Sequence, residues 1–438
     1  METKTKQARL VALETLEDVF SEGAYSNIAL DKQLRINQLA AKDKGLVTEI
    51  VYGTVARKLT LEWYLSHYIA DREQLDKKIY LLLMMSLYQL VYLDKVPHHA
   101  VVNEAVNLAK QVAHPKSSKL VNAVLRRILR EGLPDLASIK RKNKRLSITY
   151  STPVWLVKKL IDEYGDKRAE AILESLFVRN KASVRVTNLE DKEAIKDALG
   201  LEDSLVAESA LVSATGHFSA SRYFQEGQIT IQDESSQLVA PTLDIEGDEA
   251  ILDACSAPGG KTSHMASYLT TGHITALDLY DHKLALVEEN AKRLHVADKI
   301  STKKLDATKV HQVFPKDSFD KALVDAPCSG IGLIRRKPDI KYNKANQDFE
   351  ALAKVQLEIL DSVCQTIRKG GIITYSTCTI FETENRQVIK QFLKEHPHFT
   401  QVKLTHPCQE LVEDGCITIT PEQYGCDGFF IAQLKRMA

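Results

Sequence analysis

From Glu249 onward the chain is punctuated by short apolar runs that end in acids, cysteines or prolines: AILDAC at 250–255, HITALDL at 273–279, KALVDAP at 321–327 and GIITYSTCT at 371–379. Helical spacing fills the stretches between them. Strands that alternate with helices leave few architectures open, because parallel strands need crossover connections and the helices then cover both sheet faces. The pattern predicts a doubly wound, Rossmann-like α/β domain over residues 236–438, with late strands at Cys416–Ile419 and Phe429–Leu434 completing an edge. In such a sheet, ligands bind beyond the carboxyl ends of the strands. Those ends are where chemistry is to be sought.

The chain before Glu249 reads differently. Ala8, Val11, Ala12, Leu16, Val19 and Phe20 recur at three and four, as do Val101, Val102, Ala105, Val106, Ala109 and Val112. Residues 1–135 are therefore expected to form an all-α bundle around a central helix, Ile79–Leu93. That apolar run has 15 residues with Ser86 and Gln89 inside it, which is short for a membrane span. Arg130–Tyr150 reads as a polar, basic linker. Residues 145–235 read as a small α+β domain of RRM-like type. In it, Thr152 would cap a helix with Pro153 at its first position, a second helix would end near Phe177, and Ser183–Thr187 and Ile229–Ile231 would be strands. A length of 438 residues agrees with several domains rather than one core.

Charge and cysteine usage set further bounds. Fifty-eight basic residues balance 58 acidic ones, so the total alone points away from a nucleic-acid binder. Locally the picture reverses: Arg126–Arg145 holds eight Lys/Arg against only Glu131 and Asp135. Such a run is either a solvated surface or a phosphate-contacting patch. Seven cysteines without a C-x-x-C pair fit reduced thiols. The start, METKTKQARL, lacks the apolar core of a signal peptide, and a cytoplasmic protein with no membrane association is expected. Cys408, Cys416 and Cys426 are spaced too widely for an ordinary zinc site, and no metal is expected.

The first strand end opens the loop Asp253–Thr262, DACSAPGGKT. Its glycines allow backbone to approach a ligand, and the helix that follows offers free N–H groups. A P-loop would need glycine where Cys255 stands, although Lys321–Asp325 imitates the strand that accompanies one. A dinucleotide fingerprint needs G-x-G-x-x-G, which the adjacent Gly259 and Gly260 do not make. S-adenosylmethionine remains, and it calls for an acid at the second strand end to hold the ribose hydroxyls. Asp278 stands there, 18 residues after Gly260. Asp306, after the third strand region, is either an acceptor for the adenine amino group or a turn residue.

Two more strand ends carry thiols, Cys328 in DAPCSG and Cys378 in STCT. If their strands are neighbours, the tips lie about 5–10 Å apart. Two thiols beside a methyl donor suggest C5 methylation of cytosine. C5 is a poor nucleophile until a thiolate adds to C6 and converts the ring into an enamine. Asp325 could then hydrogen-bond the base N3, and Pro327 would stiffen the loop. Thr379 and Glu382 have capping-box spacing, which would place Cys378 at a helix N-terminus and lower its pKa, favouring it as nucleophile.

CSAPGGK at 255–261, DAPCSG at 325–330, STCT at 376–379 and GCDGFF at 425–430 together resemble the Sun/Fmu (RsmB) family, a bacterial branch of the Nop2/Sun group of RNA cytosine-C5 methyltransferases. The resemblance extends to DKGLVTEIVYGTVAR at 43–57, LVYLDKVPHHAVVN at 90–103 and VNAVLR at 121–126, which look like a NusB-type RNA-binding bundle, and to YFQEGQITIQDESS at 223–236. Ser256 departs from the alanine common there. The resemblance implies that Cys255, Ser256, Ala257, Pro258, Gly259, Gly260, Lys261, Asp278, Asp306 and Asp325 bind or border the cofactor. It further implies that Cys378 is the nucleophile, that Cys328 assists product release, and that Lys261 orients Asp325 and the base. The substrate it implies is small-subunit (16S) rRNA, and a monomer is expected. Three alternatives remain: a tRNA or other RNA substrate, a DNA cytosine methyltransferase attacking through the Pro-Cys thiol, and an inert NusB-like adaptor.

Overall fold

The protein is described here as a computed structural model, and the structure describes residues 7–438; the first six residues of the expected bundle and of the start METKTKQARL lie outside the described residues. The chain divides into two units, the first running to Phe177 and including Arg336–Asn343, the second holding Val178–Arg335 and Lys344–Ala438.

In the first unit, seven helices from Ala8–Ser21 to Pro115–Glu131 form the bundle. Its centre is the helix Lys77–Tyr92, buried without interruption from Ile79 to Leu90. Asp76 caps this helix by accepting from the backbone N–H of Lys78 and Ile79. Helix Ala41–Ala56 packs so closely on it that a Cβ at Gly53 would sit 1.9 Å from the Tyr88 ring. The supposed linker after Arg130 is not irregular: a short turn at Leu136–Ser138 leads into a helix, Lys142–Thr149. Its buried residues Leu146, Ser147 and Ile148 were hidden among the basic residues. The next helix spans Val154–Ser175 with a kink at Gly165, and Pro153 stands at the cap position. Thr152 does not cap it, because its hydroxyl donates back to the Tyr150 carbonyl. Among the described residues no helix is long and apolar enough to cross a membrane.

The second unit holds two sheets. The smaller contains β1 (Ala182–Val186), β2 (Glu202–Asp203), β3 (Ala210–Ser213) and β4 (Ile229–Ile231) in the antiparallel order β2-β3-β1-β4. The two helices expected with it, between Thr152 and Phe177, are the two halves of Val154–Ser175 on either side of the Gly165 kink, and they belong to the first unit. The larger sheet has β5 (Ala250–Asp253), β6 (His273–Asp278), β7 (Ile300–Lys304), β8 (Phe319–Asp325), β9 (Ile367–Thr377), β10 (Phe399–Val402), β11 (Val412–Glu413), β12 (Cys416–Ile419) and β13 (Phe429–Arg436). Its order is β11-β12-β13-β9-β8-β5-β6-β7, with β10 also on β13. Strands β5 to β9 are parallel, and β10 to β13 add an antiparallel edge. The inner parallel strands β5, β8 and the ends of β6 and β9 are largely buried, as their apolar runs require, whereas the edge strand β7 (ISTKK) has no buried residue. Because β8 and β9 are direct neighbours in register Asp325↔Ser376, the two cysteine loops leave the same end of the sheet side by side.

Candidate active site

The loop after β5 turns sharply into helix Gly260–Tyr268, and Gly259 makes the turn at φ 98°. A Cβ there would lie 3.0 Å from the Val287 backbone, so the loop can be this tight only with glycine. Thr262 donates to Asp253 at 2.7 Å and Ser256 donates to the Leu277 carbonyl at 2.9 Å, fastening the loop to two strand ends. Beside it opens a cavity of about 240 Å³ lined by Cys255, Ala257, Asp278, Leu279, Lys283, Asp306, Thr308, Asp325, Pro327 and Ile359. A second hollow of about 160 Å³ adjoins it, lined by Gln232, Asp253, Ser256, Pro258, Gly260, Lys261 and Asp325.

Every cofactor residue expected from the sequence except Gly259 therefore lines one of two adjoining hollows, and Gly259 shapes the turn between them. Asp278 lies at the end of β6, its Oδ1 accepting the Tyr280 backbone N–H at 3.1 Å. Asp306 has the geometry of the turn residue and also lines the cavity. Its Oδ1 accepts from the Thr308 N–H and hydroxyl, capping the turn.

Charge is concentrated on one pair. Lys261 Nζ donates to Asp325 Oδ2 at 2.7 Å, and Ser376 donates to Asp325 Oδ1 at 2.8 Å. Burial alone would lower the Lys261 pKa, but the Asp325 carboxylate outweighs it and raises it. Asp253, fully buried beneath them, is pushed up to about 7 by burial, against the Thr262 hydrogen bond and helped by the nearby Asp325 charge. One of its oxygens has no partner among the described residues.

Cys328 and Cys378 do not line these hollows but meet each other, with Sγ atoms 3.1 Å apart. Their hydrogen bond and burial push the Cys328 thiol well above its ordinary range, with the Cys378 and Glu384 charges adding to this. Either sulfur can donate in this contact. The helix-terminus argument for Cys378 fails: Thr379 caps nothing, and only a short turn at Glu382–Glu384 precedes helix Arg386–Glu395. Phe381, with no side-chain oxygen, precedes that turn, and Glu382 pairs with Arg386 instead. Cys408, Cys416 and Cys426 point apart, towards the Leu205 carbonyl, Gln401 and Glu234 respectively. Sequence reasoning missed Asp253, Gln356, Glu384 and Asn385. Of these, only Asp253 carried a signal, an acid at a strand end.

A Rossmann-like sheet with a glycine turn, an acid at the second strand end and a deep cavity between them defines the methyltransferase class. Residues 240–435 match the family described as 16S rRNA methyltransferase RsmB/F, and residues 6–130 match the NusB family. The "Probable ribosomal RNA small subunit methyltransferase B" of Bacillus subtilis is 40% identical over 99% of both chains. The ribosomal RNA small subunit methyltransferase B of Proteus mirabilis is 32% identical over 98% of both. The crystal structure of PH0851 superposes over 100% of both chains with TM-score 0.83 at 24% identity. That of NSun6 from Pyrococcus horikoshii, solved with SFG, covers 65% of this chain and 98% of its own, with TM-score 0.57 at 21% identity. The chain belongs to the RsmB/F family of small-subunit rRNA methyltransferases, with a NusB domain ahead of the methyltransferase domain.

Proposed function

We propose that this enzyme methylates C5 of one cytosine in small-subunit rRNA, using S-adenosylmethionine and a transient bond from Cys378 to C6 of the base. The observation that carries this reading is the thiol pair, 3.1 Å apart, next to the Lys261–Asp325 pair. A methyl donor alone would need neither thiol.

The cavity suits the cofactor. Asp278 and Asp306 are acceptors for ribose and adenine donors, and the Gly259 turn lets backbone approach the methionine end. S-adenosylmethionine supplies an electrophilic methyl group on sulfur. The chain's residues do the rest. Cys378 adds as thiolate to C6, so that a C6–S bond forms and electron density moves to C5 and into the N3 side of the ring. Asp325, held by Lys261 and Ser376, hydrogen-bonds the N3 that takes up the proton. C5 would then take up the methyl group as the bond from that carbon to the donor sulfur breaks and the neutral thioether leaves. Transfer of the C5 proton to solvent restores the C5–C6 double bond and expels Cys378 as thiolate, with Cys328 assisting release. The division of labour we propose assigns RNA binding to residues 1–135, the small sheet region to 145–235 and chemistry to 236–438.

Bisulfite sequencing of RNA from cells lacking this gene tests the reading. One protected cytosine in small-subunit rRNA should become fully convertible, and the wild-type gene, but not Cys378→Ala, should restore protection. An unchanged map would overturn the proposal. Lost protection in a tRNA would move the substrate to the alternative class.

A further inference from the structure

The two thiols sit on separate loops, and neither loop belongs to a strand at the cysteine itself. Something must therefore set the distance between them. The residues flanking each cysteine converge on one buried dipeptide, Glu384–Asn385, which is 0% and 2% exposed.

On the Cys328 side, the Ser329 N–H donates to Glu384 Oε1 at 2.7 Å and the Ser329 hydroxyl to Oε2 at 2.5 Å. Gln356 ties the preceding residue to the same carboxyl group, donating to Glu384 Oε1 at 3.2 Å and to the Pro327 carbonyl at 2.9 Å. On the Cys378 side, the Thr377 hydroxyl donates to Asn385 Oδ1 at 2.6 Å, and Asn385 Nδ2 donates to the Thr379 carbonyl at 3.1 Å. The dipeptide itself is anchored by Tyr375, whose hydroxyl donates to the Glu384 carbonyl at 2.6 Å. Packing alone would be served by an apolar side chain. Burying a carboxyl group and an amide is unfavourable unless donors and acceptors meet them, and here those partners are the neighbours of the reactive thiols.

We propose that Glu384 and Asn385 are positioning residues with separate duties: Asn385 holds Cys378 for attack on C6, and Glu384 holds Cys328 for release. This rests on the covalent reading above. A displacement of about 1 Å in a reacting group can cost 100-fold in rate, so freeing one loop should slow the step its cysteine serves.

The test uses the full-length enzyme, S-adenosylmethionine and unmodified small-subunit rRNA from cells lacking the gene, in single turnover, with denaturing gels to score the protein–RNA adduct. Glu384→Ala should form adduct and transfer methyl within about threefold of wild type but release product at least tenfold more slowly, so that adduct accumulates. Asn385→Ala should slow adduct formation at least tenfold and accumulate none. Glu384→Gln keeps an acceptor for the Ser329 N–H and should recover most of the release rate. Ser329→Ala should give a milder release defect, and it keeps the idea testable if Glu384→Ala does not fold. Cys328→Ser is the control. If it traps adduct while Glu384→Ala and Ser329→Ala do not, or if the Glu384 and Asn385 variants slow both steps alike, the clamp is refuted. If Cys328→Ser itself traps nothing, the covalent reading falls and the clamp with it.

Discussion

At the scale of single residues, the site works by making similar groups unlike. Two thiols lie 3.1 Å apart, and their hydrogen bond and burial hold the Cys328 thiol well above its ordinary range. Two carboxyl groups differ: Asp325 is paired with Lys261, whereas Asp253 lies beneath them without a cation of its own. The Asp253 pKa of about 7, set mainly by burial, has a consequence for stability. Between about pH 4 and pH 7 the folded chain keeps a proton that the unfolded chain has lost. Stability from this group therefore falls as pH rises through that window, by up to about 4 kcal/mol. Asp253→Asn removes the titration, and Asn can still accept from Thr262. Urea unfolding should show the variant gaining on wild type from pH 4 to pH 8, whereas parallel profiles would contradict the assignment.

At the scale of elements, what could be read from the sequence was what depends on local pattern. The strand ends of β5, β6, β8 and β9 announced themselves because a buried parallel strand is an apolar run and its end must carry a break. The glycine turn, Asp278, Asp325 and both cysteines follow from that logic. Other features could not be read so. Helix Lys142–Thr149 was obscured because three buried residues beside three basic ones leave a weak period. Glu384 and Asn385 lie in FETENR, an ordinary polar stretch; the partners of the Glu384 carboxyl group are 28 and 55 residues away, and those of Asn385, though only 6 and 8 away, lie on the loop beyond a strand end. The failed cap at Thr379 shows that motif spacing signals a helix start only where helical backbone follows. The structure adds content to the basic segment. Arg126, Lys140, Arg141 and Lys144 are all exposed, whereas Arg127 and Arg130 pair with Glu131. If this surface contacts phosphate, replacing those four exposed residues by Ala should lower the slope of log affinity against log salt by about 3. Filter binding across a salt series would show it, and an unchanged slope would assign the segment to solvent.

At the scale of the whole molecule, the chain does not keep its two units sequentially separate. Arg336–Asn343 follow the Cys328 loop in sequence yet belong to the first unit, where Lys341 is 1% exposed and donates to the Ala56 carbonyl at 2.9 Å. Burial, with the nearby Arg57 charge, lowers the Lys341 pKa to about 7. Ser26 donates to Asp339 in the same segment. A lysine and an aspartate in RRKPDIKYN read as an exposed loop, because only distant partners can satisfy them when buried. This eight-residue return makes simple truncation of the bundle a poor experiment, since it would strip the partners of Lys341 and Asp339. Tests of function are better made by point substitution in the full chain. The most direct of these incubates Cys328→Ser, Cys378→Ser and wild type with the cofactor and unmodified small-subunit rRNA, and runs the products on a denaturing gel. The account predicts a shifted, methyl-labelled protein–RNA band for Cys328→Ser and neither band nor methyl transfer for Cys378→Ser. A trapped band from Cys378→Ser instead would exchange the roles of the two thiols, and full turnover by both variants would contradict covalent catalysis altogether.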